Sequence, residues 1–193
     1  LEMGRGEVVG SCIANSSKGH AISFTGSITT GRSVASAAVA RMAKVQLEMG
    51  GKNPLVVLDD ANLATAVDCA VQGAFYSTGQ RCTASSRLIV TSGIHDRFVE
   101  ALSSRLMALK TDHALKDGTD IGPVIDQRQL DKDLGYIQIG IDEGATLKCG
   151  GEQVFRDTEG FYLPPVLFTN THNDMRINRE EIFGPVASVI CVS

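Results

Sequence analysis

The sequence predicts an α/β fold: a largely parallel sheet with flanking helices. Three observations carry that expectation. Short runs of strand character alternate with segments of helical spacing through much of the chain. The run Leu55-Val56-Val57-Leu58 is continuously apolar, as expected of a strand buried on both faces. The 20 glycines in 193 residues fit a fold with many backbone-driven turns.

Taken in order, Gly10 to Asn15 and Arg32 to Met42 are rich in alanine and small residues and are expected to be helices packed closely on a sheet. Between them, Ala21 to Thr25 is a short strand that runs into Gly26-Ser27-Ile28-Thr29-Thr30-Gly31. Strand, glycine-containing turn and helix N-terminus can present backbone N–H groups to an anion, and equally describe an ordinary βα turn. It is not a GxGxxG fingerprint, because its glycines are five apart and no third follows. Lys44 to Glu48 is extended, and Gly50-Gly51 with Pro54 breaks the regular structure. Composition shifts here from Ala/Ser-rich to Leu/Val/Asp-rich, which suits a domain boundary between 1–50 and 51–193. Asp59-Asp60-Ala61-Asn62 offers an N-cap to a helix from about Leu63 to Tyr76, with Ala66, Val67, Ala70, Val71 and Ala74 at helical spacing. Arg87 to Thr91 is a strand, and an amphipathic helix begins near Ile94 with Phe98, Val99, Leu102, Leu106 and Leu109 on its core face. Gln127 to Asp142 is a helix with Leu130, Leu134, Ile137 and Ile141 on one side. Ala145 to Cys149 is a strand, followed by a polar hairpin-like stretch to Gly160. Tyr162 to Thr169 carries Pro164 and Pro165, which suits an edge strand, and Ala187 to Val192 is the last strand.

Composition narrows the function. A net charge of -4 without a basic cluster argues against nucleic acid as a partner. No apolar run approaches the ~18 residues of a membrane span, so no membrane partner is expected. The 5 cysteines and 4 histidines are scattered, no cysteine pair has CxxC spacing, and neither a disulfide framework nor a metal site follows. Reduced thiols in a cytoplasmic protein fit best. The chain opens Leu1-Glu2-Met3 and stops inside the apolar run Val189 to Val192, so it is expected to be a piece of a longer protein.

The chemistry centres on Thr78-Gly79-Gln80-Arg81-Cys82-Thr83-Ala84-Ser85-Ser86-Arg87. A cysteine in a turn between helix and strand is accessible, and neighbouring positive charge favours its thiolate. Taken alone, Cys82 also reads as a free loop cysteine, Glu48 as a solvated charge before a Gly-Gly turn, Glu181 as a capping carboxylate and Phe183 as a core aromatic. Together the picture changes. A Phe-Thr-Gly-Ser turn (Phe24 to Ser27), Leu47-Glu48-Met49-Gly50-Gly51-Lys52, Gly79-Gln80-Arg81-Cys82 and Glu180-Glu181-Ile182-Phe183-Gly184-Pro185 follow one another, with Glu48 and Cys82 34 positions apart. In this order and spacing they closely resemble the aldehyde dehydrogenase superfamily. The runs LEMGGKNPLVVLDDANL and STGQRCTASSRLIV further resemble the bacterial α-ketoglutaric semialdehyde dehydrogenases.

The resemblance implies an NAD(P)-dependent oxidation of an aldehyde, such as a keto-acid semialdehyde, to a carboxylate. A thiolate at Cys82 adds to the aldehyde, giving a carbon that carries both hydrogen and an electron-releasing oxygen. Loss of hydride leaves a thioester, which water cleaves with a carboxylate base; Glu48 resembles that base. The base needs a pKa raised by partial burial or a like charge. The backbone N–H of Cys82 can donate to the oxyanion. By the same resemblance, Glu181 contacts the nicotinamide ribose, Phe183 packs by the nicotinamide, and Gly6, Ser27 and Gln129 are further NAD or NADP contacts. Residues 1–50 would then be the last part of a Rossmann-like cofactor domain and 51–193 most of the catalytic thiol domain. The first half of the cofactor domain, an upstream asparagine donor and the C-terminal oligomerisation strand are not in the sequence. The parent would be a dimer or tetramer, and the isolated piece would bind NAD(P) poorly and not turn over. A relative that transfers the acyl group to CoA generally lacks the glutamate base, so Glu48 argues against it. A non-catalytic binding module is the alternative from another class, and a thiol-redox sensor lacks a resolving cysteine near Cys82. Arg81 either attracts an acidic substrate or points away towards an acidic residue.

Overall fold

A computed structural model describes residues 2–193. The chain forms two compact units, Leu1–Gly50 and Gly51–Ser193.

In the first unit a π-helical turn, Gly6–Gly10, leads into α1 (Ser11–Asn15), β1 (Ala21–Gly26), α2 (Ile28–Val39) and β2 (Lys44–Met49). The two strands pair in parallel, Ala21 opposite Lys44 and Thr25 opposite Glu48. Helix α2 starts at Ile28, four residues earlier than composition suggests, because Ser27 caps it: its Oγ accepts the Thr30 N–H at 3.2 Å. Gly31 lies against Met49, whose sulfur would be 2.5 Å from a Cβ there. Arg41 ties the unit's connections together by donating to the carbonyls of Ala14 and Ala37 (2.6 and 2.7 Å). The buried apolar residues are few and small, Ala14, Val34 and Ala38.

The second unit carries a five-stranded sheet in the order β3 (Pro54–Val57), β4 (Arg87–Thr91), β7 (Val186–Val192), β6 (Val166–Thr171), β5 (Thr146–Cys149). The first four run parallel and β5 is antiparallel to β6. Helices α3 (Leu63–Ala74), α4 (Ser92–Met107), α5 (Gln127–Asp142) and α6 (Arg176–Arg179) complete it. Phe75, Phe98, Leu102, Leu88, Leu167 and Val189 belong to one apolar cluster, and Leu130, Ile137, Val166, Phe168, Ile177 and Val186 to another. Consecutive residues of β6 fall into different clusters, which places the clusters on opposite faces of the sheet.

Three expectations change. The Leu55–Leu58 segment is not buried on both faces: β3 is an edge strand, and Val56 and Leu58 are 59% and 54% exposed. The segment with Pro164 and Pro165 does not form an edge: both prolines precede β6, which lies between β7 and β5 and keeps its ladder intact. Helix α5 has the predicted span and most of the predicted face, with Leu130 and Ile137 buried and Leu134 packed against the same cluster, but Ile141 is 43% exposed and the buried face takes in Asp133 and Gly140. Gly140 admits the Phe168 ring, 3.0 Å from where a Cβ would stand, which brings this side of the helix close to the sheet. The polar stretch after Gly151 closes through a single antiparallel bridge, Val154 to Tyr162. Among the described residues no helix is long and apolar enough to cross a membrane.

Candidate active site

In the second unit the candidate residues gather at the amino ends of parallel strands. Lys52 and Asn53 precede β3, the Cys82 turn precedes β4, and the Glu181–Pro185 loop precedes β7.

Helix α3 stops at Ala74, and the chain then enters left-handed backbone at Ser77, Thr78 and Gly79 (φ 56°, 58° and 66°). For a β-branched residue such as Thr78 this is strain of roughly 1–2 kcal/mol. Burial and a hydrogen bond from Thr78 Oγ1 to the Gly122 carbonyl (3.2 Å) hold it there. The strained turn projects Cys82 into solvent. Asn53 fixes the backbone beyond it, its Nδ2 donating to the carbonyls of Cys82 (2.7 Å) and Ala84 (3.3 Å). The Cys82 N–H has no hydrogen-bond partner among the described residues, which leaves it available to an oxyanion. Arg81 turns back from the thiol: its guanidinium donates to the carbonyls of Gln72 and Gly73 at the end of α3. Of the two orientations open to Arg81, the structure shows the one pointing away, with backbone carbonyls in place of an acidic partner.

The second component is the Glu181–Pro185 loop. Its entry is set by Glu180, which accepts from Tyr136 Oη (2.7 Å) and from both Nε and Nη2 of Arg176 (3.0 Å each). These hydrogen bonds, that of Arg176 foremost, hold the Glu180 carboxyl below its ordinary value. Burial and the Glu180 partner push the Tyr136 hydroxyl up to about 12. In mid-loop Gln129 Nε2 donates to the Ile182 carbonyl (3.0 Å). The loop end is a close fit: a Cβ on Gly79 would stand 2.1 Å from the Gly184 oxygen, so this glycine is required by space as well as by φ. Loop and cysteine turn thus meet backbone to backbone. Phe183 also has left-handed backbone (φ 67°) and is 36% exposed, so it is not a core aromatic. Glu181 is half-buried and accepts no hydrogen bond from the described residues. A shallow groove, open to solvent, is lined by Gly51, Gly79, Arg81, Glu181 and Phe183 among others.

The remaining candidates lie elsewhere. Gln129 commits both amide protons, one to Ile182 and one to Asp133, so it acts on the loop from behind. Gly6, Ser27 and Glu48 belong to the first unit. Glu48 and Ser27 both stand at the carboxyl ends of its parallel strands, Glu48 is exposed, and Gly6 lies in the π-helical turn. Among the described residues no cluster suits a metal.

Two residues escaped the sequence reading. Lys52 lies among the charges of Arg87, Glu181 and Lys132, and burial lowers its amine to about 8, with Arg87 and Lys132 adding to the effect and Glu181 opposing it. Asp133 is buried behind the loop. Lys52 had a signal in its place beside two glycines; Asp133 had one only as an acidic residue in an amphipathic helix.

The aldehyde dehydrogenase family profile matches residues 2–193, and the chain belongs to that family. Among curated relatives it is 46% identical to an alpha-ketoglutaric semialdehyde dehydrogenase of Bacillus subtilis, across 100% of this chain and 40% of that protein. It is 47% identical to a betaine aldehyde dehydrogenase of Mesorhizobium japonicum, across 88% of this chain and 35% of that one. Among solved structures, betaine aldehyde dehydrogenase from Staphylococcus aureus in complex with NAD+ superposes with a TM-score of 0.97 at 36% identity, over 100% of this chain and 39% of that one. An NAD+ complex of aldehyde dehydrogenase from Bacillus cereus gives 0.95 at 36% identity, over 98% and 38%. The chain therefore spans about two fifths of the length of these relatives.

Proposed function

We propose that the parent of this chain oxidises an aldehyde to a carboxylate with NAD or NADP, using Cys82 as nucleophile and Glu48 as base. The observation that carries this reading is the seating of the Glu181–Pro185 loop directly on the strained turn that presents Cys82. Residues 1–50 then serve the cofactor and residues 51–193 the thiol chemistry. The relatives that share this backbone include NAD+ complexes, which supports a dinucleotide as cofactor.

The residues fit such a group. Glu181 is a carboxylate that accepts no hydrogen bond among the described residues, suited to a ribose diol, and Phe183 offers a partly exposed ring beside it. Ser27, at the N-terminus of α2, suits the pyrophosphate, while Gln129 keeps the loop in place. When bound, the dinucleotide supplies the hydride acceptor. The chain supplies the rest. The Cys82 thiolate forms a C–S bond to the aldehyde carbon, and the Cys82 N–H donates to the resulting oxyanion. After oxidation Cys82 holds a thioester. Glu48 takes a proton from water, whose oxygen attacks the acyl carbon, and the C–S bond breaks to return the thiolate. For substrate, we propose a keto-acid semialdehyde on the likeness to the Bacillus subtilis relative. Arg81 is spent on α3 and does not contribute to that choice.

The test is turnover of the full-length parent with α-ketoglutaric semialdehyde and betaine aldehyde, each with NAD or NADP, with and without CoA. The free acid is the expected product. Cys82→Ser abolishes it, and Glu48→Gln gives a burst of one hydride equivalent followed by a stalled thioester. Release only in the presence of CoA refutes hydrolysis, and Cys82 labelling with iodoacetamide no faster than Cys69 or Cys149 favours a non-catalytic module.

A further inference from the structure

Behind the Glu181–Pro185 loop lies a carboxyl group that the proposed chemistry does not use. Asp133 is fully buried on the sheet-facing stripe of α5, between Leu130 and Ile137. Its Oδ1 accepts from Gln129 Nε2 at 2.7 Å, and the same nitrogen donates to the Ile182 carbonyl. Its Oδ2 is buried and has no hydrogen-bond partner among the described residues. The carboxyl presses on Gly184, where a Cβ would come within 2.2 Å of Oδ2, while the Gly184 carbonyl presses in turn on Gly79. A continuous stack therefore runs from Asp133 through Gly184 to the turn that presents Cys82, with Gln129 as a second link to the middle of the loop.

We propose that Asp133 is a positioning residue that seats the Glu181–Pro185 loop on the cysteine turn, and that it does so only while its carboxyl is neutral. A neutral carboxyl can occupy this apolar stripe and press on a backbone; a carboxylate with one bare buried oxygen is driven towards water and takes the stack with it. The charged and titratable groups on the surrounding elements include Asp126 at the N-cap of α5, Arg128, Asp131, Lys132 and Tyr136 on α5, Glu180 and Glu181 at the loop, Lys52 before β3, and Arg81 and Cys82 in the turn. Of these Lys132 acts on Asp133 and favours ionisation, as does the Gln129 hydrogen bond; burial outweighs both and pushes the carboxyl up to about 7. The loop would then loosen across the neutral range as pH rises. The consequence for cofactor affinity rests on the reading of Glu181 and Phe183 as cofactor contacts, but the seating itself does not.

Hydrogen exchange on the 193-residue chain, without cofactor, tests the seating. The Val166 N–H donates to the Pro185 carbonyl and the Val186 N–H to the Gly184 carbonyl, both at 2.8 Å, so these amides report whether the loop is seated. After correction for intrinsic exchange, opening at both should rise about 10-fold from pH 6 to pH 8. Asp133→Asn keeps the shape and an acceptor for Gln129, and should show slow exchange with no such rise. Asp133→Leu removes the acceptor and should exchange fast at both pH values. A flat wild-type profile, or an Asn variant that tracks the wild type, overturns the proposal. A carbon-13 titration of the Asp133 carboxyl in the wild type needs no variant: a midpoint near 7 supports the proposal and one near 4 overturns it. An NAD titration of the full-length parent that shows no dependence on Glu181, with the exchange result intact, would remove the cofactor reading alone.

Discussion

The buried Asp133 carboxyl makes a quantitative demand on the stability of the second unit. Its ordinary value is 3.8, and burial raises it to about 7 in the fold. Between these values the folded chain binds the proton and the unfolded chain does not. Stability therefore falls as pH rises through the window: the contribution is whole below 3.8 and gone above 7. Two pH units of the window lie between pH 5 and pH 7, so moving from pH 5 to pH 8 removes about 2.7 kcal/mol at 1.36 kcal/mol per unit. With a urea dependence of about 2 kcal/mol per molar, the unfolding midpoint drops by roughly 1.3 M.

Stability has other pH-dependent contributions, so the informative quantity is the wild type minus Asp133→Asn, each followed by urea denaturation at pH 5, 6, 7 and 8. The Asn variant lacks the titrating group, and the difference should grow by about 2.7 kcal/mol across the series, leaving the variant the more stable protein at pH 8. Removing a charge would thus stabilise the fold, because that charge has one oxygen buried and bare. Profiles for the two proteins that stay parallel to within about 0.5 kcal/mol refute the reasoning.

Lys52 should act in the opposite sense. Its folded value of about 8 lies below the ordinary 10.5, so stability rises with pH between these values, and Lys52→Met should flatten that alkaline limb in the same urea series. Gly79→Ala combines left-handed backbone, at ~1–2 kcal/mol, with a collision against the Gly184 carbonyl, at ~1–3 kcal/mol. A urea-measured loss of about 2–5 kcal/mol is expected, and a loss under about 1 kcal/mol would mean that loop and turn are not in contact as described.

Local order was legible in the sequence wherever it depends on near neighbours. Asn62 caps α3 with a side chain that accepts the Thr65 N–H three residues on, and the Asp59 to Asn62 run pointed to a cap there. Helix α5 has the span its periodicity predicts. Its full buried face was not legible, because counting apolar letters selects Ile141 and passes over Asp133 and Gly140, whereas the contact of Gly140 with Phe168 brings that side against the sheet. Strand environment failed for the same reason. An apolar run and two prolines describe a strand but not its neighbours, so Leu55–Leu58 was expected to be central and the proline-bearing segment an edge, the reverse of their places in the sheet.

The candidate site divides along the same line. Cys82, Glu48, Glu181 and Phe183 were legible because their motifs are contiguous, whereas Asn53, Lys52 and Asp133 bear on the site across 29 residues or more in such contacts as Asn53 to the Cys82 carbonyl, which no spacing rule reaches. Strand direction gives this division a physical form. In the first unit Ser27 and Glu48 stand at the carboxyl ends of parallel strands, the usual ligand edge of an open α/β sheet. In the second unit Asn53, the cysteine turn and the Glu181 loop stand at the amino ends of theirs. The amino ends need their own source of rigidity. Left-handed backbone at Ser77, Thr78 and Phe183, glycines without room for a Cβ, and a buried carboxyl behind the loop provide it. A site built this way is fixed by close packing of main chain, which is why its most exacting positions are glycines and an aspartate that never reaches the surface.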